Sequence, residues 1–141
     1  MDRAEQAGSS TRPVEAVLEG LDPECWRVLH DVNLGRGSRV EHVVFGPPGV
    51  FTIGSAPRES GVHARVVAER LSAATGCSVR AFPLVVIDEI GDLATPRSGV
   101  YSLRAEDLVA YLGSMAPHTN AEAVCALYRA AQMTSTWSDS T

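Results

Sequence analysis

Lysine is absent from this 141-residue chain, and all twelve of its basic residues are arginine. The glycine-rich stretch Gly35-Arg36-Gly37 therefore lacks the lysine, and the helix start, of a phosphate-binding loop. It reads as a turn or strand linker. Cysteine is scarce: Cys25, Cys77 and Cys125 lie far apart, odd in number, with no Cys-x-x-Cys pair. That spacing matches neither a disulfide framework nor a zinc site, so they read as free thiols. The four histidines, His30, His42, His63 and His118, are scattered, and no two have ligand spacing on one helix. No Ser/His/Asp order with a nucleophile elbow is present. Long apolar runs are missing as well. Phe82 to Ile87 is interrupted by Pro83 and is far too short to span a bilayer. Residues Met1 to Pro13 lack the basic-then-apolar plan of a signal peptide. The expectation is a cytoplasmic protein with no membrane partner.

The length suits one domain with one core, one that buries roughly 70% of the surface its unfolded chain exposes. Apolar residues make up 45% of it, an ordinary share for a globular protein. The formal charge of −5 points away from a dedicated nucleic-acid binder. Its distribution says more than its sum. Between Asn33 and Arg80, six arginines (Arg36, Arg39, Arg58, Arg65, Arg70, Arg80) face three acids (Glu41, Glu59, Glu69). The middle of the chain is thus net +3 within an acidic whole.

Periodicity alternates along the chain. Val14, Val17, Leu18 and Leu21 have helical spacing behind Pro13, a good first helical residue. Cys25 to Val32 reads as a strand. Arg39 to Phe45 and Val50 to Ile53 are β-rich runs joined by the turn Gly46-Pro47-Pro48-Gly49. Ser60 can cap a helix running to Thr75, with Gly76 as its left-handed stop. Val79 to Ile87 reads as a strand covered on both faces, and Val100 to Leu103 as a short one. Leu108, Tyr111, Leu112 and Met115 mark a third helix. Val124, Leu127, Tyr128 and Ala131 mark a fourth, capped near Asn120. Residues 1–12 and 134–141 are small, polar and aperiodic and read as disordered tails around a single domain, 13–133. The order αβββαβ(β)αα implies a mixed α/β (α+β) domain, with a hairpin where an all-parallel fold would need a crossover.

Two segments carry a family likeness. They are Trp26-Arg27-Val28-Leu29-His30-Asp31-Val32 and the hairpin Val40-Glu41-His42-Val43-Val44-Phe45-Gly46-Pro47-Pro48-Gly49-Val50-Phe51-Thr52-Ile53. They resemble the core of the nuclease-related (NERD) domain family. That family has an Asp-His on the first hairpin strand. Its second strand ends in an acid or Asn, then one residue, then Lys. The likeness runs from about Val14 to Met115, and the hairpin is its most specific part. It implies a restriction-endonuclease-like fold with a mixed central sheet flanked by helices. In that fold an Asp, a second acid and a Lys bind Mg²⁺ and activate water. Carboxylates hold the hard ion, the ion lowers the pKa of its water, and the lysine stabilises developing charge.

A symmetric Gly46–Gly49 turn makes paired positions sum to 95, so Glu41 faces residue 54. Residue 56 then lies on the same face as 54. Where the family has Asp, acid and Lys, this chain has Glu41, Gly54 and Ala56. Glu41 is a residual acid; the second acid and the lysine are lost, and no other lysine can substitute. Glu15 and Glu19 match the family's first-helix acid only in a shifted register. Arg58 is a poor replacement for the lysine, because guanidinium stabilises charge but exchanges protons badly. Asp88-Glu89 and Asp92 read as a solvated loop.

No catalytic set is intact, and no metal or cofactor is expected. The leading expectation is a pseudo-nuclease acting as a non-catalytic binding or assembly module. A weak nucleic-acid surface would be built from Arg36, Arg39, Arg58 and Arg65. Two alternatives stand beside it: a weak Mg²⁺-dependent nuclease using Glu41, with acids from Asp88 to Asp92, and a structural subunit for a protein partner.

Overall fold

The structure is a computed structural model that describes residues 14–35, 38–54, 57–87 and 101–137. Helix α1 (Val14–Leu18) precedes three strands, β1 (Arg27–Gly35), β2 (Ser38–Gly46) and β3 (Gly49–Gly54). Helix α2 (Pro57–Thr75) leads to β4 (Ala81–Ile87), and β5 (Tyr101–Arg104) follows. A 3₁₀ turn (Ala105–Asp107), α3 (Leu108–Gly113), α4 (Ala121–Gln132) and α5 (Thr134–Trp137) complete the described chain. The five strands form one mixed sheet in the order β1-β2-β3-β4-β5. β1–β2 and β2–β3 are antiparallel, whereas β3–β4 and β4–β5 are parallel. The long helix α2 is the crossover that the parallel β3–β4 pair requires.

Alternation along the strands divides the core into two layers. On one face Val43, Phe45 and Val50 pack under Val67 and Leu71 of α2, with Val124, Ala131 and Trp137 from α4 and α5. On the other, Val44, Phe51, Ile53 and Leu84 pack under Leu18 and Leu21 and under Leu108 and Leu112 of α3. Consecutive residues Leu84 and Val85 are both almost fully buried, so β4 is covered on both sides. Pro83 is tolerated there because the β4–β5 ladder begins only at Leu84↔Tyr101.

Several boundaries differ from the sequence expectation; β1, for one, runs Arg27–Gly35 where Cys25 to Val32 is expected. Helix α2 starts at Pro57, a turn before Ser60, since proline's fixed φ suits a first helical turn. β4 starts at Ala81 instead of Val79, because the Val79 N–H bonds the Ser72 side chain, not a strand. Thr134–Trp137, expected within a disordered tail, form a helical turn. There the Trp137 indole N–H donates to the Ala131 carbonyl at 2.6 Å, and the ring fills the α2–α4 seam. Residues 1–12 and the Asp88-Glu89…Asp92 segment lie outside the described residues. Among those described, no helix is long and apolar enough to cross a membrane.

Candidate functional site

The β2–β3 hairpin is held by a close approach. A Cβ on Gly46 would stand only 2.1–2.6 Å from atoms of the Trp26 ring, so only glycine fits beneath the indole. Trp26 in turn leans on Phe51 at a centroid separation of 6.4 Å. The observed register, Gly46↔Gly49 through His42↔Ile53, keeps the pair sum of 95. Extended by one pair, it sets Glu41 opposite Gly54.

On the α2 face these positions meet in a small cavity of about 50 Å³. β2 contributes Arg39 and Glu41, β3 contributes Thr52 and Gly54, and the first turns of α2 add Glu59, Ser60 and His63. Gly54 has no left-handed φ, and a Cβ added there meets no described atom within 4 Å. Thr52 is 2% exposed, and its hydroxyl has no hydrogen-bond partner among the described residues. His63 is largely covered; its Nε2 stands 4.0 Å from Glu59 Oε1, one turn back on an exposed side chain. Among the described residues no three His, Cys, Asp or Glu side chains are placed to hold a metal ion.

The α2 contribution was not legible in sequence. Glu59 and His63 have i, i+4 spacing, but nothing in their types distinguishes a helix turned toward the hairpin from one turned toward water. Of the proposed phosphate-binding arginines, Arg39 and Arg65 are exposed, on β2 and α2. Arg39 Nε is 3.1 Å from Asp31 Oδ1, an exposed pair worth little in water. Arg36, Ala56 and the side chain of Arg58 lie outside the described residues.

A second cluster occupies the opposite face. His30 and His42 are direct cross-strand partners on β1 and β2. Their Nδ1 atoms are 2.9 Å apart, and the rings meet edge to face at 88°. Glu15 Oε2 of α1 stands 3.8 Å from His30 Nδ1. Burial holds His42 below the ordinary histidine pKa, and the charge of His30 adds to this. Glu41, Glu15 and Asp31 pull the other way. Next to this pair the ladder skips Asp31 and Glu41, and Asp31 has a left-handed φ of 62°. The kink resets the alternation: Leu29 and Val32 both pack into the α2-side core, as do Val43 and Val40. Two adjacent pairs, His30-Asp31 and Glu41-His42, thus send their histidines to one face while Glu41 lines the cavity on the other.

No family model, curated protein or solved structure matches this chain.

Proposed function

We propose that the chain is a nuclease-related module of restriction-endonuclease-like architecture that has lost its catalytic set and acts in binding or assembly. The observation that carries this reading is Gly54, extrapolated by the hairpin register to face Glu41 and lining the same cavity. A glycine stands where the family likeness calls for a second acid, in a chain without lysine. The αβββαβ order, with a mixed sheet and α2 as crossover, supports the architectural part. A single carboxylate is a poor Mg²⁺ site in the absence of substrate phosphates, which usually complete the ion's shell.

The test is an assay for cleavage of single- and double-stranded DNA and RNA with Mg²⁺ or Mn²⁺. No cleavage above a Glu41→Ala control is expected, because losing the acid and the lysine costs many orders of magnitude in rate. In the same preparation, binding by the surface around Arg39 and Arg65 is expected to be weak and sequence-independent. It should fall steeply with salt as counterions are displaced. Absence of binding at about 50 mM salt would favour a structural subunit for a protein partner instead. The placement of Glu59 and His63 beside Glu41 favours a second reading, a weak divalent-metal nuclease. Metal-dependent cleavage that vanishes on Glu41→Ala would establish it.

A further inference from the structure

We propose that the cavity at the turn end of the β2–β3 hairpin, lined by Phe82 and Arg80, binds a small carboxylate with an apolar body, of the size of a short fatty acid. Its volume is about 530 Å³. Pockets for small ligands span roughly 300–1,000 Å³. This cavity is separate from the one that Glu41 lines. It lies at the Pro48 and Gly49 turn, whereas Glu41 and Gly54 stand at the other end of the hairpin.

Three parts of the fold meet around it. The hairpin turn gives Pro48 and Val50, the start of β4 and the residues before it give Phe82 and Val79, and α4 gives Ala126 and Leu127. Hydrogen bonds fix these walls without a ligand. The His118 and Thr119 N–H groups both donate to the Pro47 carbonyl, at 2.8 and 3.1 Å, and tie the α3–α4 connection to the turn. The Val79 N–H donates to the Ser72 hydroxyl oxygen at 2.9 Å and ties the approach to β4 to α2. Phe82 leans on Phe51, with 5.6 Å between ring centroids, yet stays 37% exposed. Its free surface is apolar area that a ligand can remove from water.

The charge along the lining selects the ligand. No Asp or Glu is among the described residues that line the cavity, although the chain carries 17 acids against 12 arginines. Arg80 is exposed there and makes no ion pair among the described residues. Its guanidinium is a planar fork that fits the two oxygens of a carboxylate. His118 lines the same cavity and adds a ring nitrogen. The N-terminus of α4 is not the anchor, because the Asn120 side chain already accepts from the Ala123 N–H at 2.9 Å. One guanidinium suits a monoanion. A protein partner would need a broad contact, about 800 Å² per side, and a concave site of this volume suits a small molecule instead.

The test is an NMR titration of the full chain with octanoate, and with octanol and octylamine as its neutral and cationic counterparts. Octanoate is expected to shift the signals of Val79, Phe82, Ala126 and Leu127 and to saturate at one site. Octanol should bind there about tenfold more weakly, and octylamine more weakly still, because each lacks the charge-assisted hydrogen bond to Arg80. Arg80→Gln, at an exposed position, should bring octanoate down to the level of octanol and leave octanol unchanged. Ala126→Phe, also at an exposed position, should fill the cavity and remove the binding of both. Scattered or non-saturating shifts would overturn the proposal. So would octanol or octylamine binding as tightly as octanoate, or octanoate binding that either substitution leaves unchanged. Nuclear Overhauser contacts to Phe82 and Ala126 from another part of the chain, or from a second copy, in the ligand-free protein would overturn it too, since the cavity would then already be filled.

Discussion

Thr52 shows how one atom can separate a structural role from a binding role. Its hydroxyl is buried against α2, out of reach of bulk water, and has no partner among the described residues. An unsatisfied buried polar group costs about 1–3 kcal/mol. Thr52→Val keeps the shape and removes the orphan, so it should raise stability by about 1 kcal/mol in denaturant unfolding. A destabilised variant would mean that the hydroxyl is bonded in solution, and the cavity would then be a more polar site than its walls suggest. At this scale the sequence was partly readable. Glu41 could be placed opposite position 54 because a Gly-Pro-Pro-Gly turn leaves little choice of register. The His30–His42 contact could not be, because it depends on treating Gly35-Arg36-Gly37 as a hairpin turn, where the chain offers no equally sharp register signal.

Among the elements, the β2–β3 hairpin is the one on which the site depends, and Trp26 is its clamp. Gly46→Ala would drive a methyl group into the indole. Either the ring leaves its place on Phe51 or the strand shifts. Overpacking of this kind costs typically 1–3 kcal/mol. The expected result is that loss in chemical denaturation, with near-ultraviolet dichroism changed by the displaced tryptophan. An unchanged stability would mean that Trp26 does not cover the hairpin. Strands and long helices were legible from apolar spacing because each buries a regular stripe. The short ends were not. α5 is four residues of ordinary polar composition around Trp137, and its helical turn exists because the indole finds the Ala131 carbonyl and a seam between α2 and α4. Tertiary packing, which local composition does not encode, decided that segment. The kink at Asp31 is similar. An aspartate tolerates a left-handed φ, but nothing nearby announces that this one adopts it.

Across the whole molecule, a sheet of five strands divides two chemistries. A small cavity lined by Glu41, Gly54, Glu59 and His63 lies under α2, and a histidine pair lies beside α1. The central claim of the proposal is narrower: the hairpin face that carries Glu41 and Gly54, where strand alternation in the sequence would also put position 56, is an emptied metal site. Among the described residues nothing lies within 4 Å of a Cβ added at Gly54, which has no left-handed φ, so an acid can be placed there without backbone strain. The most direct measurement is the melting temperature of the triple variant Glu41→Asp, Gly54→Glu, Ala56→Lys, compared with the parent, with and without Mn²⁺ or Mg²⁺. Ion binding to the folded state raises the melting temperature by linkage. The account predicts a metal-dependent rise in the variant that the parent does not show. A correctly folded variant with no response to either ion would contradict the register assigned to this face and the role given to Glu41.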